Sequence, residues 1–159
     1  MKKILRFKYA LGLDTKPQID LANIVADINA PESKVLQRKM VASAVTVVKS
    51  ANDILPLKNL NNRKIAVVVM GNENGVKSMF ARRCTDYAEA TVFDYNRVGS
   101  LDALQQKIAK GGFNTVIVCV ATPAEAYMNA AKQLASAGGD VIVATMCHPE
   151  KLDLVGSLM

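Results

Sequence analysis

Four short runs of consecutive apolar residues dominate the second half of the chain. They cover residues 65–70, 90–93, 115–120 and 141–145, and most are rich in β-branched side chains. Runs that are apolar at every position are typical of parallel strands covered on both faces. Helical patterns separate the later runs, and a strand, a crossover helix and a parallel strand nearly always connect in a right-handed way. The pattern therefore predicts an α/β three-layer sandwich with a mostly parallel, doubly wound sheet.

Two of the helices between these strands carry end signals. Residues 101–112 have one apolar helical face and finish with two glycines, which are typical of a helix C-terminus. Thr122 precedes Pro123 and lies three positions before Glu125, which is the arrangement of a capping box. We therefore expect a helix that has Thr122 as its N-cap and runs to about Ala137. A further helix is predicted to start at residues 148–150.

The first part of the chain has a different character. Apolar residues between Ile4 and Leu11 share one helical face, which Gly12 is placed to end, and a weaker helical pattern covers residues 21–28. Pro31 predicts the start of a third helix. The β-branched run that begins at Val45 then predicts a short strand ending near Lys49.

Net charge raises the question of an anionic partner. The formal charge is +6 and the pI is near 9.3, yet the basic residues are scattered and are not interleaved with stacking aromatics. No apolar stretch approaches the roughly 18 residues of a membrane span, and charge interrupts the N-terminal residues too often for a signal peptide. We expect a soluble chain that binds no nucleic acid and has no membrane span, while an exported or periplasmic parent stays open.

Metal and thiol chemistry have little support in the sequence. Cys84, Cys119 and Cys147 are far apart and form no CxxC pair, so neither a zinc site nor a redox motif is indicated. His148 is the single histidine, and neighbours on an extended segment point in different directions, so we expect it to start a helix. We expect no metal and no cofactor.

The loop after the first apolar run is the one candidate for anion binding. Gly71 and Gly75 flank it and Lys77 follows, so backbone N–H groups there could hold a phosphate at a helix N-terminus. The glycine spacing is neither that of a dinucleotide-binding motif nor that of a Walker loop, and Glu73 would repel the anion. A plain turn between strand and helix is the preferred interpretation.

Several segments before the first strand resemble glycoside hydrolase family 3. Ile4 to Leu13, which ends in Leu-Gly-Leu, is similar to the last helix of the family's catalytic barrel. Ala30 to Ser50 resembles its linker helix and the first strand of its second domain. Asn52 to Leu57 resembles the turn before Leu-Pro-Leu, and the strand from Lys64 to Met70 follows in the expected order. The resemblance implies that residues 1–29 are a barrel remnant with linker, and that residues 30–159 are an incomplete α/β second domain.

The resemblance also implies which domain carries the catalytic residues. Retaining glycosidases need two carboxyl groups about 5 Å apart, and in this family the nucleophile is an aspartate of the barrel. Val-Thr-Val-Val resembles the β-N-acetylhexosaminidase branch, whose histidine loop has no counterpart here. No catalytic residue is transferred, although Glu73 would be the candidate acid in the glucosidase branch. We expect a non-catalytic fragment, inactive alone, that covers or braces a barrel hydrolysing β-linked sugars. This role leaves room for a carbohydrate substrate at the domain interface.

Two alternatives belong to other classes. One is a free-standing flavodoxin-like domain that binds a ligand or has a regulatory role. The other is a structural module that forms a homodimer through exposed apolar surface.

Overall fold

A computed structural model describes residues 2–15, 21–50, 54–72, 74–137 and 139–146. The chain divides into two compact units, Met1–Val48 and Lys49–Met159. Among the described residues, no helix has the length and apolar character that crossing a membrane requires.

The first unit contains three helices: α1 (Lys2–Ala10), α2 (Ile24–Ile28) and α3 (Pro31–Ala44). Gly12 follows α1 with a φ of 69°, a left-handed conformation that suits glycine, so the predicted helix end is confirmed. Pro31 lies in the first turn of α3, as its fixed φ favours. None of the described residues of this unit is buried.

The prediction of a short strand ending near Lys49 is wrong. Residues 45–50 form no regular element, although Val45 has an extended backbone with a ψ of 120°. β-branched residues favour that conformation, but a strand also needs a hydrogen-bonded neighbour, and no described strand pairs with this segment.

The second unit alternates strands and helices. Short 3₁₀ turns lie at Leu60–Asn62 and Gly75–Lys77. The regular elements are β1 (Ile65–Met70), α4 (Met79–Tyr87), β2 (Ala90–Asp94), α5 (Tyr95–Val98), α6 (Leu101–Gly111), β3 (Thr115–Val120), α7 (Glu125–Ser136) and β4 (Asp140–Thr145).

These strands form one parallel sheet in the order β2-β1-β3-β4. Every side chain of β1 is buried, as expected of a central strand covered on both faces. The chain moves from β1 to β2 in one direction and from β2 to β3 in the other, so the sheet is doubly wound. The predicted α/β three-layer sandwich is confirmed.

Side chains of β1 alternate between two apolar clusters. Val68 and Met70 pack with residues of α6 and α7, including the fully buried Leu104. Val67 and Val69 point the other way and pack with residues of α4. Helices therefore lie on both faces of the sheet. The carboxyl ends of its parallel strands lie together at one end of the sheet, which we call the carboxyl edge.

The predicted capping box at Thr122 is wrong. Helix α7 begins at Glu125, and the Thr122 hydroxyl instead donates a hydrogen bond to the carbonyl oxygen of Gly71 at 2.7 Å. Ala124 has an extended backbone, with a ψ of 147°, which delays the helix. The Thr122 hydroxyl thus bonds to the Gly71 carbonyl oxygen, just after strand β1, and does not cap the helix as the local sequence predicts.

Candidate functional site

The carboxyl-terminal edge of the sheet is the candidate functional site. In open α/β sheets, ligands bind where the strand order reverses, which here lies between β1 and β3. Gly71, Asn72 and Asn74 follow β1 at this edge, and residues 121–124 follow β3. Asp94 at the end of β2 pairs in register with Val69 and so lies on the same edge.

The crevice between β1 and β3 is closely packed. Gly71 has a φ of 68°, and a Cβ added to it would lie 2.9 Å from Thr122 Cβ and 3.0 Å from Tyr127 Cε2. Only glycine fits a left-handed position with such close neighbours. A ligand at this edge would therefore lie above Thr122 and Tyr127 and not between the strands.

Amide and hydroxyl groups surround this packed crevice. Asn72 Oδ1 accepts a hydrogen bond from the Asn74 N–H at 2.8 Å, and the Tyr127 hydroxyl donates to Asn96 Oδ1 at 3.1 Å. The two amide oxygens are thus occupied, and within the described part of the chain no hydrogen bond is made by the amide nitrogens of Asn72 or Asn96. Groups of this kind suit a ligand rich in hydroxyl oxygens.

Asp94 is a described acid that the structure places at this edge. It is 8% exposed, and its carboxylate accepts from the Asn96 N–H at 3.1 Å and pairs with Arg97 Nε at 3.3 Å. The predicted strand at residues 90–93 ended one residue before Asp94, so the sequence did not identify Asp94 as a candidate functional residue. An aspartate between a strand and a helix is a typical N-cap, and that signal could have identified it.

The loop from Gly71 to Gly75 shows no phosphate cradle in its described residues. Gly75 has a φ of 48°, and a Cβ added there would overlap Asp94 Oδ2. The Asp94 carboxylate therefore lies against Gly75, whose backbone N–H would have faced the anion. This finding agrees with a plain turn between strand and helix.

Three of the singled-out residues lie outside the described residues. Glu73 is one of them, although its neighbours Asn72 and Asn74 are at the carboxyl edge. Cys147 and His148 are the others. Within the described ranges, no group of three or more His, Cys, Asp or Glu side chains could hold a metal ion.

The two described cysteines lie on the α4 side of the sheet. Burial, with a smaller contribution from the neighbouring Cys84, raises the pKa of the Cys119 thiol to about 11. Burial also raises the pKa of Cys84. Both thiols are therefore protonated at neutral pH and are poor nucleophiles.

Comparison with known proteins gives one similarity. The chain is 31% identical over 80 residues to a protein of Formosa agariphila described as a "putative beta-xylosidase". The matching region is 50% of this chain and 11% of that protein, so the chain spans a small part of the relative's length. No protein-family model and no solved structure matches the chain. The similarity is consistent with a fragment of a glycoside hydrolase.

Proposed function

We propose that this chain is a non-catalytic second-domain fragment of a family 3 glycoside hydrolase, which covers or braces the catalytic barrel of its parent. The observation that carries the proposal is the 80-residue similarity to the xylosidase of Formosa agariphila. The ordered resemblance of residues 4–70 to the barrel end, linker and first strand of the family supports it. A doubly wound parallel sheet is the architecture that this assignment requires.

Exposed apolar side chains of the first unit supply the second support. Ile4, Phe7 and Leu11 share one face of the first helical segment by their spacing, and they are 63%, 70% and 62% exposed. Full burial of such a side chain contributes about 2 kcal/mol. A barrel domain is the partner that we propose for this face.

The substrate proposal concerns the parent and not this chain. We propose retaining hydrolysis of β-linked sugars, with β-N-acetylhexosaminides favoured by Val-Thr-Val-Val at residues 45–48. A β-xyloside is the alternative that the name of the relative suggests. In both cases we place the carboxyl edge towards carbohydrate, because the described residues leave the amide nitrogens of Asn72 and Asn96 without a hydrogen bond.

An activity measurement tests the non-catalytic assignment. The purified chain is expected to hydrolyse neither p-nitrophenyl β-N-acetylglucosaminide nor p-nitrophenyl β-xyloside, because two catalytic carboxyl groups are not brought together in its described residues. Turnover that persists after Glu73→Gln and His148→Ala would overturn the assignment. Turnover abolished by Glu73→Gln alone would instead make Glu73 the acid of a glucosidase-type site.

A second measurement tests whether there is a parent. An antibody raised against the chain is expected to detect, in extracts of the source organism, a polypeptide much larger than 17.1 kDa. A single band at the size of this chain would contradict the proposal. Light scattering adds an independent check, because a stable dimer would identify self-association as the use of the exposed apolar face.

A free-standing flavodoxin-like binding domain is the second candidate function. The strand order β2-β1-β3-β4 matches the start of that fold and favours the idea. The contacts of Thr122 and Tyr127 with Gly71 oppose it, because they fill the crevice where such folds bind a ligand. A compact monomer that purifies with a tightly bound ligand would favour this candidate.

A further inference from the structure

A cleft on the α4 side of the sheet has the features of a separate binding surface. It has a volume of about 330 Å³ and lies between the 3₁₀ turn after β1, helix α4 and strand β2. We name it the basic cleft. Its apolar lining residues are Val76, Ala81 and Val92, and its polar lining residues are Lys77, Arg82 and Thr85.

Among the described residues, no acid is paired with the cations of the basic cleft. Lys77 and Arg82 are exposed, and within the described part of the chain their side chains make no ion pair and no hydrogen bond. Two acids of the adjoining elements are paired with other arginines: Asp86 with Arg83 at 3.2 Å, and Asp94 with Arg97 at 3.3 Å. The cleft therefore offers two cations to an anionic partner.

The outer side of β2 adjoins this cleft. Among the described strands, β2 pairs with β1 alone, so its other side is a free sheet edge. Thr91 in the middle of the strand is exposed. A free edge presents backbone N–H and C=O groups to which an extended segment can add as a further strand.

We propose that the basic cleft and the free edge of β2 bind an extended acidic polypeptide segment. Side chains alternate between the two faces of a strand, so those two residues apart lie on one face, about 7 Å from each other. An aliphatic side chain on the α4 face enters the cleft against Val92. Carboxylates two residues before and after it meet Lys77 and Arg82.

The lining of the cleft distinguishes a polypeptide from a nucleic acid. Single-stranded nucleic acids bind through basic grooves in which aromatic rings stack on the bases. The apolar lining of the basic cleft is aliphatic, and its six lining residues include no aromatic ring. It therefore fits a branched aliphatic side chain better than a base.

Fluorescence anisotropy with a designed peptide tests the proposal. The probe is fluorescein-labelled Thr-Glu-Thr-Leu-Thr-Glu-Thr, which places two glutamates and one leucine on the same face. Saturable binding is expected to the intact chain. The double variant Lys77→Gln/Arg82→Gln is expected to bind about tenfold more weakly, since each of the two exposed charge pairs is worth about threefold. The control Lys107→Gln/Lys110→Gln removes the same charge from the exposed surface of α6 and is expected to bind as the intact chain does.

Three further measurements make the outcome decisive. A peptide with glutamine in place of glutamate, and one with serine in place of leucine, are both expected to bind more weakly. The proposal is overturned by no binding at low salt, by equal losses in the two double variants, or by binding that does not depend on the leucine. Oligothymidylate that competes more strongly than an acidic peptide of equal charge would instead identify a nucleic-acid surface.

Discussion

Replacement of Arg63 by methionine is expected to lower the free energy of unfolding of the sheet unit by about 2–3 kcal/mol. Arg63 precedes β1, and its side chain joins three segments of the chain. Its Nη1 donates to Thr115 Oγ1 at 2.7 Å and to Asp140 Oδ2 at 2.6 Å, at the starts of β3 and β4. Its Nε donates to the carbonyl oxygen of Lys58 at 2.9 Å, which holds the preceding segment against the sheet.

The magnitude follows from what each contact loses. Each of the three hydrogen bonds contributes about 0.5–1 kcal/mol net at this partly exposed position, and the Asp140 side chain is 46% exposed, so the charge of that pair adds only about 0–1 kcal/mol. The buried Thr115 hydroxyl still donates to Asn114 Oδ1 at 3.2 Å and is not left without a partner. Methionine retains the apolar packing of the arginine stem. The loss should therefore stay well below that of an unpaired buried charge.

Urea denaturation followed by far-UV circular dichroism measures this loss, since the chain has no tryptophan for fluorescence. Arg82→Met is the matched control, because Arg82 is exposed, and its expected effect is below about 0.5 kcal/mol. A double-mutant cycle with Asp140→Asn isolates the ion pair. Equal losses for Arg63→Met and Arg82→Met would contradict the predicted role of the Arg63 contacts, and so would a loss above about 4 kcal/mol.

Two further predictions concern the packing around the sheet. Gly75→Ala is expected to destabilise the fold by about 2–3 kcal/mol, because its Cβ would overlap Asp94, whereas Gly99→Ala, with open space and a φ of 85°, should cost only about 1 kcal/mol. Urea titration compares them, and a larger loss at Gly99 would contradict the overlap. Cys119, with a pKa raised from 9.0 to about 11 by burial, contributes stability below pH 9 that is lost as pH rises towards 11. Relative to Cys119→Ala, the intact chain should lose stability over that window, and parallel pH profiles would show that the thiol ionises equally in both states.

Strand positions were the most predictable part of the fold. The apolar runs at residues 65–70 and 115–120 coincide with β1 and β3, since these central strands are buried by neighbours on both sides and both faces. The run ending at Phe93 fell one residue short of β2, because Asp94 continues the ladder opposite Val69 although it is charged. Hydrophobicity thus located the strands, and backbone pairing decided where one of them ends.

The carboxyl edge was less predictable, because its contacts join residues that are distant in sequence. Tyr127 and Asn96 lie 31 positions apart, and no local pattern links them. The same holds for Gly75 and Asp94, whose close approach follows from the pairing of β1 with β2. Thr122 carried a strong local signal that a tertiary hydrogen bond to Gly71 overrode. The predicted strand topology located the carboxyl edge. The individual contacts at this edge could be identified only from the three-dimensional structure.

The two units differ in how well their apolar patterns are satisfied, and this difference supports the proposal of a parent barrel. In the sheet unit, the helical pattern that predicted Leu104 as a core position is met by full burial. In the first unit, the pattern of α1 has similar strength but leaves Phe7 70% exposed, and the weaker pattern of α3 leaves Met40 64% exposed. An amphipathic pattern specifies that a face is covered but does not specify by what. Since a helix gains most of its stability from packing of that face, the exposed faces of the first unit are the surfaces that the proposed parent barrel would cover.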